Sequence, residues 1–157
     1  MKGDEDSAPI RFPPPFIYLG MLLIGIAAER VVPLRSFGLD RPILVAAGAA
    51  LALAGLAVGI LAMGLFSRSG EKPEPWTTTH QIVTSGVYRY TRNPMYLGMA
   101  LLYAGLALAL DAPLALVLLP VVLAMVQTQV IAREERYLAG KFGEPYEAYR
   151  RQVRRWL

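Results

Sequence analysis

Cysteine is absent from this chain of 157 residues, and histidine occurs once, at His80. Neither a disulfide framework nor a thiolate ligand set can be built, and a single imidazole does not make a transition-metal centre, so no metal is expected. Charge is scarce as well: 18% of the residues are Asp, Glu, Lys or Arg against 55% hydrophobic, and the mean hydropathy is positive. A soluble domain of this size cannot cover itself with so little polar surface, and a bilayer is the natural solvent. No internal repeat is evident. Neither a nucleic-acid partner nor a required protein partner is expected.

Four apolar runs follow, at about 16–34, 43–66, 94–110 and 113–131. At about 1.5 Å of rise per residue, the second and fourth can cross a hydrocarbon core of roughly 30 Å, while the first and third need their flanks to do so. The first run follows Asp4, Glu5, Asp6 and the prolines 13 to 15, with no small-residue cleavage site, and reads as a retained span. Four spans put both termini and the loop 67–94 on one side. Thirteen of the sixteen Lys and Arg residues lie there, leaving Arg30, Arg35 and Arg41 opposite. The positive-inside rule makes the rich side cytoplasmic. The expectation is one all-α, polytopic domain over 1–157, with four transmembrane helices and cytoplasmic amphipathic C-terminal helices, in the inner (cytoplasmic) membrane with both termini cytoplasmic.

Local signals refine this outline. Asp111-Ala112-Pro113 leaves almost no loop between the third and fourth runs, so these two helices pack as antiparallel neighbours. Gly48, Ala52, Gly55 and Gly59 permit close contact of the second helix with another, read as packing within the chain rather than a dimer interface. Beyond Arg133 the fourth helix is expected to continue, stop near Gly143 and Pro145, and restart over 146–156, with its basic and aromatic residues against an anionic membrane surface. Glu29 and Arg30, late in the first run, read as an ion pair facing neighbouring helices or the far interface; an intramembrane carboxylate is also a functional flag.

Two polar blocks flank the tight hairpin. The first, about 86–98, runs Gly86-Val87-Tyr88-Arg89-Tyr90-Thr91-Arg92-Asn93-Pro94-Met95-Tyr96-Leu97-Gly98; the second, about 127–149, contains Glu134-Glu135, Tyr137-Leu138, Phe142-Gly143, Tyr146 and Tyr149. Antiparallel packing brings the start of the third helix beside the end of the fourth, so both blocks can share one pocket. In this order the blocks resemble the integral-membrane methyltransferases of the isoprenylcysteine carboxyl methyltransferase and phospholipid methyltransferase superfamily, whose signature reads roughly G-x-Y-x-x-x-R-H-P-x-Y-x-G, a helical hairpin, then E-E-x-x-L-x-x-x-F-G-x-x-Y-x-x-Y. One position departs, with Asn93 where the signature has histidine.

The resemblance implies S-adenosylmethionine as cofactor, entering from the cytoplasm, and a lipophilic small-molecule or lipid acceptor entering from the bilayer. It places Tyr88, Arg89, Arg92, Asn93, Pro94, Tyr96, Leu97, Gly98, Glu134, Glu135, Tyr137 and Leu138 at the cofactor, with Arg92 and Asn93 nearest the chemistry. The residue types fit: a carboxylate for an ammonium or ribose hydroxyls, a guanidinium for a carboxylate, and aromatic walls for a sulfonium and an adenine. Asparagine keeps a donor and an acceptor but cannot become cationic. His80 stands ahead of the signature and can serve proton removal or simply be polar surface; with no other obvious base, the balance leans toward an acceptor that ionises readily, such as a carboxylate. Two other classes stay open. A sterol-reductase-like enzyme using NADPH shares an Arg-His-Pro-x-Tyr element, and small four-helix transporters also carry a glutamate in their first span.

Overall fold

A computed structural model describes residues 13–32, 36–70 and 80–157. The negatively charged start, Arg35, and most of the loop after residue 70, Trp76 included, lie outside the described residues. Among the described residues every regular element is helical: α1 Pro14–Ala28, α2 Arg41–Arg68, a 3₁₀ turn Gly86–Arg89, α3 Pro94–Ala109, α4 Pro113–Val126, a π-helical turn Gln127–Ile131, α5 Ala132–Phe142 and α6 Glu144–Gln152.

Proline writes the helix starts. Each of α1 to α4, and α6, has proline in its first two positions, where the missing N–H breaks no hydrogen bond and the ring presets φ. At its far end α3 stops on Asp111, which adopts φ 54, with Ala112 N donating to Ala107 O at 2.8 Å and Asp111 N to Leu108 O at 3.0 Å. This is a Schellman closure with aspartate in the left-handed position. Asp111 is held there by the Ser36 hydroxyl (2.6 Å) and the Phe37 N–H (3.2 Å), which also keep its carboxyl below the usual range.

The apolar helices form one bundle. α2 lies along α3 almost backbone to backbone: a Cβ on Gly48 would fall 2.5 Å from the Gly105 carbonyl oxygen, and one on Gly55 would fall 2.5 Å from that of Gly98. Small residues thus replace a side-chain layer, as the steps along α2 foretold. α1 meets α4 through Gly25, where a Cβ would fall 2.5 Å from Ala115 Cα. Hydroxyls tie the remaining faces, Tyr18 donating to Tyr96 O (3.0 Å) and Tyr103 to Ala115 O (2.7 Å). Glu29 ends α1 as an acceptor for Leu114 N at 2.7 Å. It supplies α4 with the N-terminal cap that Ala112 cannot, at the positive end of that helix's dipole. Glu29 thus faces a neighbouring helix, one of the two placements its position late in the first run suggests.

Arg41–Arg68 and Pro113–Phe142 are long and apolar enough to cross a membrane, while Pro14–Ala28 and Pro94–Ala109 are apolar but shorter. Leu19, Leu23 and Ile24 on α1, Leu53 and Ile60 on α2, and Val117 and Val121 on α4 face outward, an apolar exterior on a scale water does not favour.

The fourth helix continues past residue 131, as its sequence suggests, but through the π turn. α6 differs from expectation: it begins at Glu144 after Gly143, whose φ 60 and ψ −130 only glycine adopts readily, and it ends at Gln152 rather than reaching residue 156. Val153 is extended. The chain peels away there because the carbonyls of Arg154 and Arg155 are taken by donors of the first polar block.

Candidate active site

The two blocks meet in an open cleft with about 830 Å³ of empty space, the solvent at its mouth included. The 3₁₀ turn and the start of α3 give one wall, with Tyr88, Arg92, Asn93, Pro94, Met95 and Tyr96; α5 gives the other, with Glu134, Glu135, Tyr137 and Leu138. Phe66 at the end of α2, the strip Gln81, Ile82 and Val83, and Tyr146 and Tyr149 of α6 close it. Nine of the twelve expected residues therefore line one cavity. Arg89 is exposed instead, Leu97 faces elsewhere, and Gly98 is used against α2, where a Cβ would fall 2.7 Å from the Gly55 carbonyl oxygen. His80 is exposed and does not line the cleft.

The adjacent glutamates do different things. Glu135 is buried, and its carboxylate is enclosed by two guanidiniums: Arg92 Nη2 at 3.0 Å, and the fork of Arg155 through Nε at 3.0 Å and Nη2 at 2.6 Å. Glu134 accepts from the Tyr96 hydroxyl at 2.9 Å through Oε2. Its carboxyl end is packed round by protein, and burial, with the like charge of Glu135 adding to it and the Tyr96 hydrogen bond opposing it, pushes it up to about 7. Near neutrality Glu134 therefore exists in both forms, a titratable group whose environment the sequence did not reveal.

Arg92 spreads its contacts widely. Besides Glu135, its Nη1 reaches Arg150 O at 3.5 Å, and its backbone N–H donates to Arg154 O at 2.9 Å. Its Nε is buried with no acceptor, the one such side-chain atom among the described residues. Such an orphan donor beside a cavity suits an anionic or carbonyl oxygen of a ligand. Burial also raises the hydroxyls of Tyr88, Tyr146 and Tyr149, the last to about 12, so all three stay protonated donors at neutral pH; Tyr149 spends its proton on Tyr88 O at 2.7 Å.

Asn93 is buried, and its Nδ2 donates to Arg155 O at 2.8 Å while the Thr91 hydroxyl donates to the same carbonyl at 3.1 Å. An amide, or an imidazole N–H, serves equally. Asn93→Leu should lower stability by about 1 kcal/mol, toward the low end for an unmade buried hydrogen bond because Thr91 still serves the carbonyl, and Asn93→His should cost less. Thermal unfolding in detergent measures both; a leucine variant as stable as the parent would contradict the tie.

The sequence model of the phospholipid methyltransferase family matches residues 43–145, well over half of the chain and both polar blocks nearly entire. The chain belongs to that family. Curated relatives agree with the membership. A protein-S-isoprenylcysteine O-methyltransferase of Schizosaccharomyces pombe is 32% identical over 108 residues, covering 62% of this chain and 46% of that protein. A probable protein-S-isoprenylcysteine O-methyltransferase of Oryza sativa subsp. indica is 36% identical over 74 residues, covering 47% of this chain and 39% of its own length. The chain thus spans less than half the length of these two relatives. An uncharacterized protein of Haemophilus influenzae is 40% identical over 63 residues, 40% of this chain and 100% of that one. No solved structure matches. Within the family frame, Tyr146 and Tyr149 belonged to the recognised pattern and could have been named as site residues; Phe66 and the strip 81–83 carried no signal, since only the close packing of α2 on α3 brings Phe66 to within 5.5 Å, ring to ring, of Tyr88.

Proposed function

We propose that this protein is a multi-pass membrane enzyme that transfers a methyl group from S-adenosylmethionine to a lipophilic, membrane-borne acceptor. The observation that carries the reading is the convergence of both polar blocks, on opposite sides of a tight hairpin, on one cleft at the end of an apolar bundle. The cleft's chemistry fits the cofactor. Arg92 offers a buried, unpartnered Nε–H to a carboxylate, Glu134 offers a carboxylate to an ammonium or to ribose hydroxyls, and Phe66, Tyr88 and Tyr137 offer aromatic faces to a cation or an adenine.

Bound S-adenosylmethionine supplies a methyl group already activated on a positive sulfur. The chain has therefore only to orient two ligands and keep water out. Ile82, Val83 and Leu138 line the cleft for exclusion, Tyr96 is fixed by the bond from its hydroxyl to Glu134, and the Tyr149 hydroxyl holds the backbone carbonyl of Tyr88. Glu134, poised near neutrality, can accept a proton at its carboxylate from an acceptor that must lose one. The lean toward a carboxylate acceptor rested on the lack of a base other than His80, and Glu134 removes that ground. The relatives' names, O-methyltransferases of isoprenylcysteine, favour an oxygen acceptor on a prenylated thioether; an amine stays within the chemistry Glu134 permits.

Calorimetry with S-adenosylhomocysteine in detergent, together with transfer of labelled methyl from S-adenosylmethionine into lipid and prenylcysteine extracts, tests the reading. Binding with transfer supports it; neither overturns it. The topology we propose has four spans, with the cleft and the loop after α2 cytoplasmic. In the cysteine-free parent, single cysteines at the exposed positions Ser67 and Gln152 should react with an impermeant maleimide only after cells are permeabilised. A cysteine at Leu39, 55% exposed between α1 and α2, should react from outside. The opposite labelling pattern inverts the topology.

A further inference from the structure

The segment 153–157 runs back over the site instead of extending α6, and its contacts reach both polar blocks. Arg154 O accepts from Arg92 N at 2.9 Å, Arg155 O accepts from Thr91 and Asn93, and Trp156 Nε1 donates to Gln127 Oε1 at 3.0 Å in the π turn. The side chain of Arg155 is the centre of the arrangement: its fork takes both oxygens of Glu135, and Glu135 in turn holds Arg92 by Nη2 at 3.0 Å.

We propose that Arg155 is a positioning residue, which through Glu135 holds the Arg92 guanidinium at the wall of the cleft, where it meets an anionic group of the ligand. The consequences follow from donor counting. A guanidinium has five N–H donors; the terminal nitrogens of Arg92 are drawn to Glu135 and to Arg150 O, and only Nε stays buried without an acceptor. Because a carboxylate can rotate while a forked carboxylate cannot, loss of Arg155 frees Glu135 to swing, and Arg92 with it. No part of Arg155 needs to touch the ligand. The proposal rests on the cofactor reading above, since the anionic group is taken to be the carboxylate of the amino-acid moiety.

Two probes separate aiming from general support. S-adenosylhomocysteine carries that carboxylate, whereas 5′-methylthioadenosine keeps the adenosine and sulfur and lacks the amino-acid part. In the full chain in detergent, Arg155→Gln should weaken S-adenosylhomocysteine by roughly ten- to hundredfold, the scale of a charge-assisted hydrogen bond, and leave 5′-methylthioadenosine within about twofold. Arg155→Lys, which keeps the charge but loses the fork, should show the same selectivity with a smaller loss and guards against a glutamine variant that does not fold. Equal losses for the two compounds, or none, overturn the positioning role while leaving the cofactor reading intact. A parent protein that binds neither compound overturns both.

Discussion

Replacing Glu135 by glutamine should destabilise the protein by about 3 kcal/mol, the low end of the cost of removing one member of a buried ion pair. Glu135 and Arg92 each expose only 9% of their side chains, and Arg155 exposes 36%. Without the carboxylate two guanidiniums face each other, and a glutamine carbonyl satisfies at most one of them. Arg155 can turn to solvent and recover part of its hydration, which is why the lower figure applies; Arg92 is too enclosed to do so. Glu135→Gln/Arg155→Gln should recover part of the loss, because it removes one of the two stranded cations. Unfolding midpoints in detergent across the four-member cycle measure the coupling, and a single-variant loss below about 0.5 kcal/mol would mean that the cluster is as well solvated as a surface pair.

This result would divide two glutamates that the sequence presents as one motif. Adjacent residues on a helix point about 100° apart, so Glu134 and Glu135 cannot both face a ligand in the same way. Which one faces the cleft depends on the helical phase delivered by α4, and the π turn Gln127–Ile131 resets that phase. Nothing in Gln127-Thr128-Gln129 announces a π turn, since such turns arise where tertiary contacts favour an extra residue and are frequent at functional sites. The division of labour was therefore hidden even though both positions were visible.

Other features were legible for physical reasons. Pro94 and Pro113 mark helix starts through their own covalent geometry, and the glycine and alanine steps of α2 can serve little else than close helix approach. The segment 153–157 misled because Arg154, Arg155 and Trp156 continue an amphipathic helical pattern as readily as they leave it. What ends α6 is a set of acceptor demands from Arg92, Thr91 and Asn93, some sixty residues away. Glu29 was legible in part: it reads as facing neighbouring helices, and it does, but its partner is the Leu114 N–H that it caps across the bundle. Long-range hydrogen bonds decided both cases, and periodicity carries no trace of them.

Glu134 should make the protein's stability fall as the pH rises from about 4.5 to about 7, by about 3 kcal/mol in all. Its folded pKa of about 7 lies above the model-peptide value of 4.5, so between those pH values the native state holds a proton that the unfolded chain has released. Unfolding then gives up a proton, and stability decreases with pH across this window. The contribution is complete below about pH 4.5 and is lost once the pH passes about 7. A shift of this size corresponds to about 3 kcal/mol at the conversion of 1.36 kcal/mol per pKa unit. Glu134→Gln keeps an acceptor for the Tyr96 hydroxyl and carries no ionisable proton, so it should flatten the profile above pH 5 and be more stable than the parent at pH 8. Denaturant titrations in detergent at half-unit steps from pH 5 to pH 8.5 show the difference; parallel curves for parent and variant would place the Glu134 carboxyl in water. The same balance bears on the site, because a cation in the cleft favours the ionised form. A sulfonium ligand should therefore release protons on binding near pH 7 to a greater extent than its neutral thioether product, and Glu134→Gln should abolish the difference, as read from binding heats in buffers of unlike ionisation enthalpy.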